Sequence, residues 1–490
     1  MYKKYNNVFD YILYKNNKFF KGGFVDDVDT SLINFNKIDT LIYKSKSGMR
    51  LICIPNEEAT VVSMGIYIRV GSLDEKDNEL GVAHFLEHMT FKGTGKYPDN
   101  KLVERLDNLG TTYNAATSYE YTNYYIHGLP QFQNELITML LDMYFDPQIP
   151  PQTVETEKKV ILEEYKMRND SKSIKQYMNL LNLVTKEKNK LYNRPVIGTK
   201  NSIESITIDD LNKFREKYHD HNKTTITISG KFDVNKMKLL IEKIIKEYDS
   251  NFGSFERYDG LEKINQKLFK TDLILSTSKP RLSNRFIYSK IDGEQTNITL
   301  NFPCWKSFTK NNIYLGILSV VLSNRLYKTI RIDNGLVYNV DTNMHIFDTF
   351  GIFSIYMGVD YNNIYDAIRL TLNELIKIYE YGILEEELLK VKNLNLTGMM
   401  IDYQNQLTLF NIYTGNVAYN YTFYTPNDII NIFNNVDSKR VNNNIIKEII
   451  NPKQLYISMI GSKRPIDGKM IKLFNYFNKK IRKITKKIDK

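Results

Sequence analysis

From residue 40 as far as Gly461 the chain follows alternating and helical patterns that can be read one after another. Residues 40–70 hold two runs, LIYKSKSGMRLICIP and TVVSMGIYIRVG, rich in β-branched residues; in the second, Val61, Ser63 and Gly65 alternate with apolar partners, the period-two pattern of a strand. Apolar spacing turns helical over 77–93. An amphipathic helix is predicted over 100–109, with Gly110 placed to end it. Residues 113–127, rich in Thr and Tyr, return to strand character. Helices follow over 131–144, 151–168 and 171–185, then the strand TTITISG, ending at Gly230, and one more helix.

The order then restarts. QTNITLNFPC, residues 295–304, reads as a strand like TVVSMGIYIRV. A long helix over 312–332, strands over 336–359, helices over 362–381 and from Glu385 onward, and the strand QLYISMIG ending at Gly461 repeat the run of elements in the first half. Two α+β units of similar order imply an internal duplication, carried by pattern rather than by residue identity. A chain of 490 residues is also too long for one ordinary core. The expected division is an N-terminal extension 1–37, a first unit 38–250, a polar linker 251–285 containing Gly253, Gly260 and Pro280, a second unit 286–465 and a basic C-terminal tail 466–490.

Charge changes the picture at that tail. The formal net charge is +11, but residues 469–490 carry nine basic residues and one acidic one, a net of +8, which leaves +3 for the rest. The body is therefore close to neutral, unlike a nucleic-acid enzyme with positive charge spread over its working face. KKIRKITKKIDK mixes Ile with Lys at roughly helical spacing. A solvated tail is the plainer expectation; a basic amphipathic helix that contacts an anionic surface is the sharper one. Cys53 and Cys304 form no CxxC pair and read as buried small residues rather than a disulfide or a thiolate metal site. No stretch is apolar enough to cross a bilayer, and the N-terminal region lacks the unbroken core of a secretory signal, so a soluble intracellular protein is expected.

The chemistry lies in GVAHFLEHMTFKGT, residues 81–94. His84 and His88 are four apart, so on a helix their rings project from one face, and Glu87 shares it. Two neutral imidazoles at this spacing can hold one zinc ion, and a carboxylate beside them can accept a proton from the metal's water. This is the inverted zinc-helix pattern, H-x-x-E-H. Such a site needs a third protein ligand. The helix VETEKKVILEEYKMR offers Glu155, Glu157, Glu163 and Glu164. Glu157, Val160, Ile161 and Glu164 fall on one stripe, which should face inward, and a carboxylate on an inward stripe needs a partner. Glu164 is therefore favoured as the ligand, with Glu157 as a second carboxylate near the site.

These residues resemble the pitrilysin family of zinc peptidases, most closely its half-size members, such as the catalytic subunit of the mitochondrial processing peptidase and related bacterial peptidases. The resemblance rests on GVAHFLEHMTFKGT, on LDNLGTTYNAATSYEYTNYY, on EKKVILEEYKMR and on SNRLYKTIRIDNGLVYNV, in that order, and spans about residues 40 to 460. It implies two homologous α/β-sandwich domains, each a mostly antiparallel sheet packed with helices. It implies one zinc per chain, held by His84, His88 and Glu164, with Glu87 as general base and Glu157 as a supporting carboxylate. Asn114 and Ala115 would lie on the strand edge that binds an extended substrate. Arg331 and Tyr338 match a pair in the second domain that helps polarise the scissile carbonyl.

The expected activity is hydrolysis of extended or unfolded peptides by a zinc-activated water. The rival reading is a non-catalytic scaffold subunit derived from the same family, which would be expected to break one of His84, Glu87, His88 or Glu164; all four are present. The resemblance also implies a working pair of chains, a homodimer or a heterodimer with a homologous chain. Arg331 and Tyr338 would then reach the zinc of the partner.

Overall fold

The computed structural model describes residues 40–185, 190–218, 220–261, 285–307, 309, 311–419, 421, 426–438 and 441–488. The expected N-terminal extension and most of the expected linker lie outside these residues. The first unit runs β1 (Leu41–Ser45), β2 (Arg50–Pro55), β3 (Val62–Ile68), α1 (Val82–Thr90), α2 (Lys101–Asn108), β4 (Thr112–Thr117), β5 (Thr122–Gly128), α3 (Gln133–Phe145), α4 (Pro151–Asp170), α5 (Lys172–Val184), α6 (Lys200–Ser205), α7 (Ile208–Tyr218), β6 (Thr224–Gly230), α8 (Val234–Tyr248) and β7 (Phe255–Arg257). Its seven strands are ordered β4-β5-β3-β6-β2-β1-β7, antiparallel except for β2 beside β6. Part of the expected linker thus belongs to the first sheet, since Phe255–Arg257 pairs with β1 as its edge strand.

The second unit runs β8 (Phe286–Lys290), β9 (Gln295–Cys304), α9 (Asn311–Leu326), a π-helical turn (Tyr327–Ile332), β10 (Val337–Ile346), β11 (Gly351–Asp360), α10 (Ile364–Tyr381), α11 (Glu385–Tyr403), α12 (Gln406–Ala418), α13 (Pro426–Asn434), β12 (Tyr456–Gly461) and α14 (Asp467–Ile488). Its sheet order, β10-β11-β9-β12-β8, repeats β4-β5-β3-β6-β2 position by position, and the one parallel pair, β12 with β8, falls in the equivalent place. The duplication inferred from element order is therefore present in topology. Two details differ from the sequence reading. The helix expected over 312–332 is α-helical only to Leu326 and then widens into the π turn. The basic segment expected as a solvated tail is a regular helix. In α14, Met470, Phe474, Phe477 and Ile481 alternate at steps of four and three and are buried in the second core. It is the counterpart of α8, which follows β6 in the first unit. None of the helices among the described residues is long and apolar enough to cross a membrane.

β2, β3 and β6 are buried on both faces, because each has helices on either side. Met49, Leu51, Cys53, Met64, Ile66, Ile226 and Ile228 face α1, α3 and α8 of their own unit. The opposite face is covered from the other unit: Ile42, Ile52 and Ile54 pack against Leu409, Tyr413 and Val417 of α12. Gly65 of β3 makes this contact possible, since a Cβ there would stand 2.4 Å from the ring of Phe410. The arrangement is reciprocal, for α5 of the first unit packs on β12, β8 and β9 of the second. Asn179 of α5 donates to Ser289 at 2.8 Å, and Thr414 of α12 donates to Thr227 at 2.8 Å. Burying each of the large apolar side chains here contributes roughly 1.5–3 kcal/mol.

The tips of two equivalent hairpins also meet across the units. Tyr119, Tyr192, Phe347 and Phe350 form an apolar cluster there. At its edge Glu120 accepts from the Tyr192 hydroxyl at 2.7 Å and from the Asp348 backbone N–H at 2.8 Å.

Candidate metal centre

The site is built on α1. Its first residue follows Gly81, whose φ of +89° only glycine adopts without strain, and a Cβ there would lie 2.5 Å from the carbonyl oxygen of Ile197. The helix start is held from inside. Glu75 is 5% exposed, and its two carboxylate oxygens accept the backbone N–H groups of Gly81 and Ala83, each at 3.0 Å. Val82, Phe85, Leu86 and Met89 anchor the rear of α1 in the first core. That leaves His84, Glu87 and His88 on the face turned towards α4.

His84 and His88 lie with ring centroids 4.7 Å apart. Glu164, from α4, directs one oxygen between them: its Oε2 stands 3.6 Å from His84 Nε2 and 3.5 Å from His88 Nε2. All three donor atoms fall within 4.8 Å of one another. Its other oxygen is held by Arg168 at 2.8 Å, one helical turn on. Glu163 is 72% exposed and pairs with Lys166, away from the cluster. Glu157 is buried and accepts from His88 Nδ1 at 2.8 Å through one oxygen, while Lys92 contacts the other at 2.6 Å. His88 is thereby oriented with Nε2 free to face Glu164. The stripe that selected these residues holds for Glu157 and Ile161, both buried, but Val160 is 49% exposed.

The donor set fits zinc. Ligand atoms around a tetrahedral zinc at its usual bond lengths stand roughly 3.4 Å apart. The Glu164–His distances match that spacing and are too long for good hydrogen bonds. The electrostatics agree. Burial opposes charge on His88, but Glu157, Glu164 and Glu87 outweigh it and raise the pKa to about 9. Burial opposes charge on Glu164 too, yet His88, His84 and Arg168 bring it down to about 2. The pocket therefore favours positive charge between the imidazoles and Glu164. Glu87, from the same helix, has a buried Oε2 with no hydrogen-bond partner among the described residues. Burial raises its pKa, with the Glu164 charge adding and Thr117 and His88 opposing.

β4 is the edge of the first sheet and pairs only with β5 among the described residues. Asn114 is exposed on it, Ala115 is buried, and the Asn114 side chain accepts the Ala115 N–H at 2.9 Å. Arg331 and Tyr338 are not part of this cluster. Arg331 lies on the π turn and Tyr338, 72% exposed, on β10; the guanidinium stands 5.1 Å over the Tyr338 ring. The guanidinium also stands 5.1 Å over the ring of Tyr327, so its aromatic neighbours belong to the second unit. The sequence reading missed Glu75, Lys92 and Arg168. Arg168 had a legible signal, its i,i+4 spacing from Glu164. Glu75 and Lys92 act from loops and had none.

Among the described residues, the second unit has the fold without such a cluster. α9 occupies the place of α1, and every residue from Ile313 to Ser323 is buried there. Two family models match the chain: "Insulinase (Peptidase family M16)" over residues 50–200 and "Peptidase M16 inactive domain" over 205–395. The sequence is 27% identical over 407 residues to an uncharacterized zinc protease, YmxG, of Bacillus subtilis, covering 82% of this chain and 93% of that one. The fold is similar to that of a protease from Helicobacter pylori, with a TM-score of 0.71 at 17% identity, covering 86% of this chain and 99% of that one. It is also similar to the periplasmic protease PqqL from Escherichia coli, with a TM-score of 0.72 at 19% identity, covering 90% of this chain and 50% of that one. Two units of the same topology, matched in order by two domains of one family, give the assignment: the chain belongs to peptidase family M16, the pitrilysin family.

Proposed function

We propose that the chain is a zinc-dependent endopeptidase acting on extended or unfolded peptides, with one zinc held by His84, His88 and Glu164. The observation that carries this reading is the convergence of two imidazole nitrogens and one carboxylate oxygen at cation-sharing distances, with Glu87 on the same helix face. Relatives named as zinc proteases support the metal. When bound, zinc supplies Lewis acidity and lowers the pKa of a water. Glu87 then serves as general base. Its Oε2 accepts a proton and returns it to the leaving nitrogen, a role that burial favours by raising its pKa. An extended peptide adds to the open edge of β4, where it takes the Ala115 N–H from the Asn114 side chain. Arg331, half-buried, and Tyr338, exposed, lie together on the second unit and act from a partner chain, a second copy or a homologue, to steady the carbonyl oxygen as it gains charge.

The test is to measure zinc content and peptide cleavage on the same preparations. His84→Ala and Glu164→Gln are expected to lose both. Glu87→Gln is expected to keep zinc and lose turnover by about 10²–10⁴-fold or more. Full zinc occupancy in His84→Ala, or full activity in Glu87→Gln, would overturn the assignment.

A further inference from the structure

α14 has one face committed to the second core, and the cations of its other face have no carboxylate partner among the described residues. Met470, Phe474, Phe477 and Ile481 are buried, Tyr476 donates to Asn373 at 2.7 Å, and Tyr379 and Thr485 share a hydrogen bond at 3.1 Å. The helix is thereby fixed along α10. At about 100° per residue, Lys472, Lys479, Arg482, Lys483 and Lys486 fall within roughly 60° of the direction opposite the buried stripe. Lys469, Lys480 and Lys487 flank them, and all eight are exposed. Over 22 residues the helix is about 33 Å long.

Two comparisons within the molecule set this face apart. On other helices some lysines pair with a carboxylate one turn away, as in Lys158–Glu155, Lys166–Glu163 and Lys390–Glu386. Among the described residues, none of the eight cations on α14 is within ion-pair distance of a carboxylate; the helix's one pair is Asp467 with Arg464, at its start. Its counterpart α8 carries mixed charge, with Lys238 paired to Glu242. The fold therefore needs a helix here but does not need a single-sign face.

We infer that the outer face of α14 is a docking surface for an anionic lipid bilayer. A straight row of cations on the outside of the domain lies tangent to a plane, and each can approach a different headgroup. Ile466, 57% exposed, and Ile471, 44% exposed, stand at the start of the row beside Lys469 and Lys472 and can enter the interfacial layer. The rest of the apolar stripe is already buried, so attachment is mainly electrostatic and reversible. A nucleic acid fits less well. The tyrosine on this helix is half-buried and hydrogen-bonded, and no exposed aromatic interleaves the cations to stack on bases.

The test is co-sedimentation of the full chain with vesicles of phosphatidylcholine containing one quarter phosphatidylglycerol, against pure phosphatidylcholine. Binding is expected to the mixed vesicles only, and to be lost at about 1 M salt, where the Debye length is about 3 Å. Each cation near such a surface is worth about fivefold, so removing three should cost on the order of 100-fold in partitioning, and the charge-reversing triple variant Lys472→Glu, Lys479→Glu, Lys483→Glu should lose more than that. Its peptide cleavage should be unchanged, and the triple Gln variant at the same positions should lose partitioning to a smaller extent. Failure of the wild type to sediment, equal sedimentation of wild type and both variants, or tighter binding to duplex DNA than to the mixed vesicles would each overturn the inference.

Discussion

Replacing Glu157 by Gln tests how the metal helix is held. Glu157 is 4% exposed, with the His88 imidazole at 2.8 Å on one oxygen and the Lys92 ammonium at 2.6 Å on the other. Burial opposes its charge, but hydrogen bonds from His88 and Lys92 lower its pKa, so it is ionised at neutral pH. Glutamine fills the same space with one acceptor and one donor, and both groups facing it are donors. Either His88 or Lys92 loses its partner. The Lys92 side chain is 28% exposed and can turn towards water, so the amide oxygen will stay with His88 in place of a charged acceptor. Losing a charge-assisted bond to a buried group costs about 1.5–3 kcal/mol. Expressed on metal binding, that is on the order of 10–100-fold, the usual effect of removing a ligand's orienting partner. Zinc affinity should be measured by chelator competition, alongside the melting of the apo and zinc-loaded protein. The added variant Lys92→Met removes the competing donor and should recover part of the affinity when combined with Glu157→Gln. The reasoning is refuted if Glu157→Gln binds zinc within about twofold of wild type while its apo form melts lower, since a packing role alone would give that result.

Three further outcomes are expected. Glu75→Ala leaves the N–H groups of Gly81 and Ala83 buried without an acceptor, at about 1–3 kcal/mol each, so melting should fall by several degrees and Glu75→Gln should restore part of it; an unchanged midpoint in the Ala variant would exclude the role. Burial, with Glu120 adding and Arg69 and Lys306 opposing, holds the Asp348 carboxyl above the usual range. The folded state therefore keeps that proton to higher pH than the unfolded chain does, and its contribution is full at low pH and lost as pH rises through the raised pKa. Asp348→Asn should gain stability relative to wild type as pH rises from about 4 to about 7, and a pH-independent difference in melting would contradict this. Finally, if the partner is a second copy, Glu87→Gln and Tyr338→Phe chains, each nearly inactive alone, should regain activity when mixed. An active dilute monomer, or exchanging dimers without rescue, would sink the trans arrangement.

The strands and helices that carry the site were legible because their periods are undisturbed. TVVSMGIYIRVG and TTITISG are apolar and β-branched, and His84, Glu87 and His88 need only helical geometry to share a face. What the pattern hid was what covers each sheet. Gly65 read only as one of the residues alternating with apolar partners in a strand, whereas it makes room for Phe410, from a helix far along the chain. The stripe argument on α4 found Glu157 and Glu164 but included Val160, because a helix crossing its neighbour at an angle buries only part of a stripe. The misreading of α14 came from weighing charge above period. Met470, Phe474, Phe477 and Ile481 already marked a buried face, and the helix after Gly230 already predicted one after Gly461. Arg331 and Tyr338 rest on resemblance alone, since a half-buried cation and an exposed aromatic have no local signature.

The exchange of α5 and α12 carries an implication for ancestry. Each helix covers the sheet of the other unit, through contacts such as Asn179 with Ser289, 110 residues apart, and Thr414 with Thr227, 187 residues apart. One unit made alone would present a bare apolar sheet face and an unclaimed helix. Two identical copies, each lending that helix to its neighbour, would cover both faces at once, which is the geometry of a domain-swapped pair. The present chain has the layout such a pair would have if a tether joined its halves, with the lent helices, rather than the chemistry, holding the two halves together.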